Sequence, residues 1–412
     1  MIYTSPFKVE NANEVFDELS KTEGVIVFGT GNCGSLVLAA LNKANINIVC
    51  LTDNNKSRWG EMYNGHKVVS PEELKSTNNK TPILIASDLN FPYMRRQLRD
   101  LGLTNVYDCD FIFAKLDIDL KECNVTWSET KLKQKIDIYM YSVLAQKDKK
   151  NSLKVNGIDL VLTEKCSLKC VGCSNLMHYY AKPIDEDFEQ VIKSIDTFMN
   201  TVDYVYEIRI IGGEPLMYKR IDEVIKKTLS YKNCGNIVIY TNGTIVPKDN
   251  KIEVFKNDKI YFKISNYGSI SRNVDKLEKK LEENNIHYLT ERVTRWQDCA
   301  KIEKFDRPIE LTKKIFGDCC VSETLTVLHG KLFLCPFSAH AENLHAIPKY
   351  PSDSIDITKF EDKKVLKEKI RKFYFDKEYL EACKSCNGRD HNVAAVDAAI
   401  QTKNPIQYTK VS

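Results

Sequence analysis

Cysteine placement limits what this chain can fold into more than any other feature of its sequence. The chain has 412 residues and 14 cysteines. Six cysteines stand singly, and the other eight fall in two groups, which are Cys166, Cys170 and Cys173 and then Cys319, Cys320, Cys335, Cys383 and Cys386. In a long chain whose first residues lack a basic stretch followed by an apolar one, grouped cysteines indicate metal ligation or catalysis rather than disulfides. We therefore expect a cytoplasmic protein whose single cysteines are small buried side chains.

The charge balance argues against two classes of partner. Lys and Arg number 60 and Asp and Glu number 56, so the formal net charge is +4 and neither sign dominates. Nucleic-acid and membrane-surface proteins normally carry an excess of basic residues. No apolar run reaches the roughly 18 residues of a membrane span. We therefore predict that the protein binds neither nucleic acid nor membrane.

Short apolar segments alternate with helical stretches in two series, which predicts an α/β fold with parallel sheets. The first series has predicted strands at 24–29, 46–53, 81–87 and 104–113, and an amphipathic helix at 131–146 follows it. The second series has strands that run into polar loops at 158–166, 206–215, 236–243 and 259–268. This repetition is typical of a β/α barrel or partial barrel, in which ligands bind at the carboxyl ends of the strands.

The first cysteine group has the spacing of a cluster ligand set. Cys166-Ser-Leu-Lys-Cys170-Val-Gly-Cys173 directly follows an apolar strand. Three thiolates within eight residues can bind one face of an iron–sulfur cluster and leave one iron open. The alternatives are an inert cysteine loop and a structural zinc site, although a closed zinc site normally uses four ligands. This triad, followed one β/α unit later by Gly212-Gly213-Glu214-Pro215, resembles the radical S-adenosylmethionine (radical SAM) enzymes.

The resemblance implies a set of cofactor contacts. In that family the open iron chelates SAM, and one electron cleaves it to a 5′-deoxyadenosyl radical. By resemblance, Gly212, Gly213, Glu214 and Pro215 hold the SAM amino group, while Asn242 and Ser265 contact its ribose or carboxylate. The family commonly has an aromatic residue before the third cysteine, where this chain has Gly172. We therefore expect stacking near the adenine to come from His178, Tyr179 or Tyr180.

The second cysteine group predicts a second metal site. Residues 324–335 have the pattern of a β-hairpin with its turn at His329-Gly330, and a CxxC follows at Cys383 and Cys386. Behind a radical SAM domain this arrangement resembles the SPASM extension or its shorter form, called twitch. The resemblance implies one auxiliary 4Fe–4S cluster held by Cys320, Cys335, Cys383 and Cys386, with Cys319 as the rival of Cys320. A zinc knuckle is the alternative.

The first βα turn carries a glycine pattern typical of nucleotide sites. Gly29, Gly31 and Gly34 form GxGxxG between a strand and a helix, and Asp53 ends the next strand. The segment after it resembles a Rossmann-like domain of sugar-nucleotide acyltransferases and sugar C-methyltransferases, which can hold the nucleotide part of a sugar substrate. A scaffold without ligand and a redox NAD site are the alternatives.

These observations predict four segments: a Rossmann-like nucleotide or sugar-nucleotide domain at 1–115, a helical connector at 116–153, a partial (β/α)6 radical SAM barrel at 154–310, and a SPASM/twitch-like domain of a small hairpin plus helix at 311–412.

The predicted reaction is hydrogen abstraction from a sugar or a nucleotide-linked sugar, with oxidation, epimerisation or rearrangement as the outcome. The expected cofactors are SAM and two 4Fe–4S clusters, with electrons from a flavodoxin or a ferredoxin-type donor. Peptide maturation is the alternative within the family, and a non-catalytic zinc-binding interaction protein is the alternative outside it. The sequence identifies no acid, base or radical-quenching residue among the candidates Tyr179, Tyr180, Arg272, Cys299 and His340.

Overall fold

The structure is a computed structural model, and it describes residues 2–5, 7–76, 79–87, 91–119, 123, 125–126, 128–305, 307–321, 324–360, 362–389 and 393–411. The chain divides into two compact units, Met1–Leu144 and Ala145–Ser412. Each unit has its own hydrophobic core. The division falls inside the predicted connector at 116–153, so the residues of that segment are shared between the two units.

The described helices and strands follow one another along both units. The helices are α1 (Ala12–Ser20), α2 (Asn32–Lys43), α3 (Phe91–Asp100), α4 (Asp110–Ala114), α5 (Glu129–Lys147), α6 (Phe188–Thr201), α7 (Ile221–Leu229), α8 (Asp249–Ile252), α9 (Val274–Glu283), α10 (Ile309–Asp318), α11 (Pro336–Asn343) and α12 (Lys363–Phe375). The strands are β1 (Ile2–Thr4), β2 (Val25–Phe28), β3 (Ile48–Thr52), β4 (Met62–Tyr63), β5 (His66–Val69), β6 (Ile83–Ile85), β7 (Val106–Asp108), β8 (Asp117–Asp119), β9 (Lys154–Val161), β10 (Tyr204–Ile211), β11 (Cys234–Thr241), β12 (Ile260–Asn266), β13 (His287–Arg292), β14 (Arg295–Gln297), β15 (Leu325–Leu328), β16 (Lys331–Phe333), β17 (Ser354–Asp356) and β18 (Ala395–Asp397).

The first unit is built on a six-stranded sheet in the order β4-β5-β3-β2-β6-β7. All neighbours except β4 and β5 pair in parallel. The predicted strand at 104–113 is wrong in its second half, because only Val106–Asp108 is a strand and Asp110–Ala114 is a helix. The Phe111 and Phe113 side chains of that helix are buried, so its apolar run fills a core instead of extending the sheet.

The second unit is built on an eight-stranded sheet in the order β13-β12-β11-β10-β9-β15-β16-β17. Strands β9 to β13 and β15 are mutually parallel, and β16 and β17 are antiparallel additions. The predicted α/β class with parallel sheets is confirmed. The sixth parallel strand comes from the hairpin of the 311–412 segment, so that segment shares a sheet with the β/α series before it.

The two faces of the parallel strands differ in polarity. Ile158, Ile208, Ile237 and Phe262 lie on one face and are fully buried in the core, which they share with the apolar sides of α6, α7 and α9. Successive strand residues point to opposite faces. The other face therefore carries the paired residues Asp159 and Arg209 and, next to them, Tyr240. The sequence thus gives the sheet one face for packing and one for polar contacts.

The hairpin turn between β15 and β16 has the conformation that its sequence predicts. His329 and Gly330 both have positive φ, at 49° and 77°, and Leu328 pairs with Lys331 across the turn. A two-residue turn with positive φ at both positions matches the twist of antiparallel strands.

No helix in the described ranges combines the length and the apolar character that crossing a bilayer would need.

Candidate cluster and cofactor site

A cavity of about 320 Å³ lies at the carboxyl ends of β9 to β12 in the second unit. Each of these strands runs into one of the loops that the sequence marks. The structure brings seven predicted residues together on the wall of this cavity: Cys166, Cys170, Cys173, Gly212, Gly213, Asn242 and Ser265. Glu214 and Pro215 are not among the residues that line it.

The sulfur atoms of the first cysteine group accept hydrogen bonds that suit thiolates. The Leu168 amide lies 3.4 Å from the Cys166 sulfur, and the Asn242 side-chain amide donates to the same atom over 3.6 Å. The Gln401 side chain donates to the Cys170 sulfur over 3.0 Å. Burial raises the pKa of the Cys170 thiol to about 11. A coordinated metal would be needed to hold these sulfurs deprotonated near neutral pH, because ligation favours the thiolate.

The triad offers the cysteine ligands that an open iron–sulfur cluster needs. In a 4Fe–4S cluster with one open iron, each of three cysteines binds a different iron. Three cysteines on one cavity wall, each with N–H donors to its sulfur, fit such a cluster.

The two glycines after β10 are required by close packing. A Cβ atom on Gly212 would lie 2.3 Å from the Thr163 carbonyl oxygen, and one on Gly213 would lie 2.3 Å from the Lys165 carbonyl oxygen. The Gly213 and Glu214 amides donate to those two oxygens over 2.8 and 2.9 Å. The glycine turn therefore lies directly against the strand that leads into the cysteine loop.

Glu214 is buried beneath the loop that follows β11. Its carboxylate is fully buried and accepts hydrogen bonds from the Thr241 hydroxyl over 2.9 Å, the Asn242 amide over 2.9 Å and the Leu216 amide over 3.2 Å. Burial raises the pKa of this carboxyl to about 7. Its oxygens are directed at the β11 loop, so Glu214 holds the Asn242 backbone in place beside the cavity.

The aromatic wall of the cavity comes from residues that the sequence did not mark. Tyr267 and Trp296 line the cavity, with their ring centroids 5.5 Å apart in an edge-to-face arrangement. The site of a Cβ on Gly172 lies 3.6 Å from the Trp296 ring. The predicted stacking candidates His178, Tyr179 and Tyr180 are buried and do not line the cavity. Trp296 lies on β14, far along the chain from the cysteine loop, and no local motif indicates it.

A C-terminal segment closes the cysteine loop from outside. The Val171 amide donates to the Ile400 carbonyl over 2.7 Å, and the Thr402 amide donates to the Lys169 carbonyl over 2.9 Å. Between them, the Gln401 side chain accepts from the Lys169 amide over 2.8 Å while it donates to the Cys170 sulfur. One carboxamide therefore fixes both the backbone and a sulfur of the loop. The sequence reasoning missed this residue.

A second, smaller cavity of about 40 Å³ gathers the second cysteine group. The cysteines on its wall are Cys299, Cys319, Cys335, Cys383 and Cys386. Cys320 does not line it and is exposed. The amides of Val321 and Arg389 donate to the Cys319 sulfur. Of the two adjacent cysteines, the structure therefore places Cys319, the rival of the predicted Cys320, on the cavity wall, since the α10 helix ends at Asp318 and the chain turns the first of the two inward.

The other sulfurs of this cavity are supported in the same way. The Ser338 amide lies 3.3 Å from the Cys335 sulfur, and the Gly388 amide lies 3.3 Å from the Cys386 sulfur. The Arg307 guanidinium donates to the Cys383 and Cys386 carbonyls over 3.1 and 2.7 Å, which fixes the backbone of the CxxC turn. Four cysteines with N–H donors or an anchored backbone around one enclosed space fit a fully ligated cluster.

The candidates for acid, base or radical-quenching roles differ in whether they line a cavity. Tyr180 and His340 form a buried pair, with the Tyr180 hydroxyl 2.8 Å from Nδ1 of His340, and neither lines the cavities. Tyr179 is also buried off the cavity walls, and Arg272 is exposed. Cys299 lines both cavities.

The glycine-rich turn of the first unit is explained largely by packing. A Cβ on Gly29 would lie 2.5 Å from the Ala86 carbonyl oxygen, and one on Gly34 would lie 2.1 Å from the Gly29 carbonyl oxygen. The Asp53 carboxylate accepts from the amide and the hydroxyl of Thr30 over 2.7 and 2.6 Å. Asp53 therefore braces the turn. Of the three predicted glycines, Gly31 is the one with open space where a Cβ would stand.

Two family models match parts of the chain. The model described as C2185-like, N-terminal, matches residues 21–106, and the model of the radical SAM superfamily matches residues 160–279. The GTP 3′,8-cyclase of Clostridium acetobutylicum is 25% identical over 153 residues, which make up 33% of this chain and 46% of that protein. The chain spans less than half the length of the curated relatives it matches.

Two solved structures are similar to parts of the chain at low sequence identity. The structure of anSMEcpe with bound AdoMet is 10% identical with a TM-score of 0.38, over 58% of this chain and 91% of that one. SuiB of Streptococcus suis bound to S-adenosylmethionine is 13% identical with a TM-score of 0.34, over 72% of this chain and 82% of that one.

The segment that the radical SAM superfamily model matches, residues 160–279, contains both the cysteine triad and the glycine turn.

Proposed function

We propose that the protein is a radical SAM enzyme that abstracts a hydrogen atom from a sugar or a nucleotide-linked sugar, which is then oxidised, epimerised or rearranged. The observation that carries the proposal is the convergence of three cysteines, two glycines and Asn242 on one cavity in a radical SAM domain. The sugar assignment rests on the resemblance of the first unit to domains that hold the nucleotide part of a sugar substrate.

Different residues of the larger cavity bind the cluster and SAM. When bound, a cluster with three cysteine ligands supplies one electron to SAM, whose cleavage gives the 5′-deoxyadenosyl radical. Cys166, Cys170 and Cys173 hold the cluster. The backbone of Gly212 and Gly213 faces the methionine end of SAM, since both glycines line the cavity beside the cysteine loop. Asn242 and Ser265 contact polar groups of SAM.

The aromatic side chains of the larger cavity would bind the adenine. Tyr267 and Trp296 offer two ring faces beside the cysteine loop, where stacking can replace the aromatic residue that is absent at Gly172.

The smaller cavity would hold an auxiliary 4Fe–4S cluster on Cys319, Cys335, Cys383 and Cys386. A fully ligated cluster has no open iron, so its role is electron transfer to or from the substrate. A flavodoxin or a ferredoxin-type protein would deliver the electrons from outside. Cys299, Pro336 and Arg389 line both cavities, so the two cavities adjoin within one unit, which supports the proposal of electron transfer between them.

The test begins with the protein reconstituted with iron and sulfide under anaerobic conditions. We expect a brown protein that forms 5′-deoxyadenosine when it is reduced in the presence of SAM. Replacing Cys166, Cys170 or Cys173 by Ala should bring this product to the background level, because an incomplete ligand set cannot hold the cluster. Cys234→Ala is the matched control, since Cys234 is a buried cysteine of β11 outside both groups.

The outcomes separate the proposals from one another. A colourless protein that binds zinc and forms no 5′-deoxyadenosine would contradict the enzyme assignment. Product formation that responds to added nucleotide sugars supports the sugar assignment. Product formation that no sugar or nucleotide sugar increases would leave the radical SAM activity intact and refute the sugar substrate.

A further inference from the structure

The outer side of the first cysteine loop carries two exposed apolar side chains. Val171 lies between Cys170 and Cys173, and Ile400 belongs to the C-terminal segment that closes the loop. Their side chains belong to residues that are 36% and 53% exposed, and the Val171 amide donates to the Ile400 carbonyl over 2.7 Å. The two residues are therefore direct neighbours, and together they expose apolar surface next to a predicted cluster ligand.

The pairing of the two segments explains why these side chains face outward. Cys170 and Gln401 lie opposite each other in an antiparallel bridge, and the Gln401 side chain donates to the Cys170 sulfur. Opposite residues of such a pair direct their side chains to the same side, and the next residues along direct theirs to the other side. Because Cys170 lines the larger cavity, Val171 and Ile400 face away from it. Lys169, the residue before Cys170, shares that outer side.

The two segments that carry these apolar residues are basic. In the sequence, segments 165–173 and 398–412 together contain four Lys residues and neither Asp nor Glu. Lys403 is exposed, three residues after the exposed isoleucine. Asp397, which precedes the second segment, is paired with Arg295 over 2.8 Å. Charges at the rim of an interface guide the encounter with a partner of opposite sign, so these segments suit an acidic partner with an apolar contact surface.

We propose that the outer side of the cysteine loop docks a flavodoxin-type electron carrier, a small acidic protein with an exposed flavin edge. The docking patch consists of Val171, Ile400, Lys169 and Lys403. This inference rests on the proposed function, because it takes the triad to hold a cluster that receives an electron from outside. Docking at Val171 brings the carrier within one residue of the ligand Cys170, and electron transfer slows steeply with distance.

The small size and mixed character of the docking patch suit this kind of partner. Electron-transfer complexes have some of the smallest protein interfaces, because the carrier must leave again after each electron. The dimethylbenzene edge of a flavin is apolar and matches the two exposed side chains of Val171 and Ile400. The acidic surface of the carrier matches the lysines. A patch of two apolar residues with basic neighbours is therefore sufficient for a brief complex.

The test measures binding of the carrier and does not depend on turnover. A fluorescently labelled bacterial flavodoxin is titrated with the anaerobic holoenzyme in the presence of SAM, and the Kd is obtained from fluorescence anisotropy. Formation of 5′-deoxyadenosine with dithionite is measured separately, because this small reductant needs no docking surface. The iron content and the Kd of SAM report whether each variant keeps its cofactor site.

The apolar part of the docking patch is tested by serine substitutions. We expect Ile400→Ser to raise the Kd of flavodoxin about fivefold, and Val171→Ser combined with Ile400→Ser to raise it about tenfold or more, because each removes apolar contact area. Val365→Ser is the matched control and should leave the Kd unchanged. Val365 is 55% exposed on α12, where the Tyr374 hydroxyl accepts from the Asn156 amide near the amino end of β9. The control therefore lies at the opposite edge of the sheet from the cysteine loop.

The charge of the partner is tested by reversing the charge of a lysine. Lys403→Glu should weaken flavodoxin binding about tenfold near 0.05 M NaCl and much less near 0.5 M NaCl, because salt screens exposed charges. Lys364→Glu, on α12, is the control for this substitution and should leave the Kd unchanged at both salt concentrations. Every variant should keep the iron content and the Kd of SAM of the wild type.

The outcomes separate the docking patch from the proposed function. A holoenzyme that forms 5′-deoxyadenosine with dithionite but binds no flavodoxin, or binds only a ferredoxin, would overturn the inference and leave the proposed function standing. Absence of the product with dithionite would refute the proposed function, and the inference with it. Equal weakening by Val365→Ser and Ile400→Ser would place the contact elsewhere. A holoenzyme dimer that Ile400→Ser dissociates would show that a second copy covers the patch, and would also overturn the inference.

Discussion

Two adjacent cysteines differ in environment, and the difference can be tested residue by residue. Cys319 lines the smaller cavity, and Cys320 is exposed. We predict that Cys319→Ala loses the auxiliary cluster, so that iron falls from roughly eight to roughly four atoms per chain. Cys320→Ala should keep the full iron content, because its sulfur faces solvent. Iron and sulfide are measured after anaerobic reconstitution. If Cys320→Ala lost iron and Cys319→Ala kept it, Cys320 would be the ligand.

Gln401 offers a second prediction at the same scale. Gln401→Ala removes the N–H donor to the Cys170 sulfur and the acceptor of the Lys169 amide. We expect the iron of the first cluster to be lost to a chelator about tenfold faster, because hydrogen-bonded partners of metal ligands typically contribute this much to metal affinity. The rate of iron release under anaerobic conditions measures the effect.

The controls for Gln401 separate hydrogen bonding from packing. Gln401→Glu keeps an acceptor for the Lys169 amide but presents a negative charge to the sulfur, so it should lose iron faster than Gln401→Ala does. Gln190→Ala, on α6, removes a glutamine whose amide bonds Ser194 and should leave the rate unchanged. Equal rates for Gln401→Ala and the wild type would contradict the role of this residue.

The limits of sequence reasoning are clearest at this scale. The three cysteines of the triad are visible because their ligand chemistry requires a fixed spacing within one loop. Trp296, Gln401 and Arg389 reach the same site from distant parts of the chain, and no local spacing connects them with it. The contact of Glu214 with the Asn242 amide was not predicted, because the residue type of Glu214 suggests an ammonium partner and only its burial shows that it accepts from the β11 loop.

At the scale of elements, the β15–β16 turn joins the hairpin to the strand that leads into the cysteine loop. Nδ1 of His329 lies 2.8 Å from Glu186, and its Nε2 lies 3.6 Å from Glu164. The hydrogen bond with Glu164 is the largest cause that raises the pKa of His329 to about 10, and the bond with Glu186 adds to it. The charged imidazole thus ties three segments of the second unit together.

This arrangement predicts a pH-dependent contribution to stability. Because the pKa of His329 is higher in the folded state, the stabilisation is complete below its unfolded value of about 6.5 and is lost as the pH rises through about 10. His329→Asn should lower the free energy of unfolding by about 1 kcal/mol at pH 7, since the half-exposed pair is partly screened. The difference from the wild type should vanish near pH 11, at about one pH unit above the folded pKa. Denaturant unfolding at both pH values measures it.

The choice of asparagine keeps the backbone out of the comparison. His329 has a φ of 49°, a region that asparagine tolerates. His345 has a φ of 56° and is exposed, and in the described structure its imidazole takes part in no ion pair. His345→Asn is therefore the matched control and should change stability little at either pH. A loss for His329→Asn that is equally large near pH 11 would show that the ion pair is not its cause.

Helices and strands were predicted well where the apolar residues of a segment follow a single spacing, helical or strand-like. The strands β9 to β12 and the turn at His329-Gly330 follow from apolar runs that end in polar or glycine residues. The failure at 104–113 has a local reason. An apolar run of this length suits a buried strand and a buried helix equally, and tertiary packing decided for α4. Strands β9 and β15 pair in one sheet although they are far apart in the chain, so no local sequence pattern predicts this pairing.

At the scale of the whole molecule, two separate cores predict two unfolding events. The cluster of buried side chains in the first unit lies entirely within Met1–Leu144, and both cysteine groups lie within Ala145–Ser412. Removing iron should lower the Tm of the second unit by several degrees and leave the first unchanged, because a ligand stabilises only the fold that binds it. Anaerobic calorimetry with and without iron measures both transitions.

Limited proteolysis during heating would assign each transition to its unit. Cleavage within Met1–Leu144 should begin at the same temperature with and without iron, whereas cleavage within Ala145–Ser412 should begin earlier after iron removal. A single transition that shifts as a whole would contradict the independence of the two cores.

The closure of the cysteine loop by Gln401 has a consequence for the order in which the protein matures. Cys170 and Gln401 are 231 residues apart in the chain. At a synthesis rate of roughly 5–20 residues per second, the residue that fixes the loop is made roughly ten seconds to most of a minute after the loop itself. During that interval the thiols of the triad lack their brace and are open to solvent, oxidants and competing metals. Assembly of the first cluster therefore belongs after the completion of translation, when the C-terminal segment has taken its place.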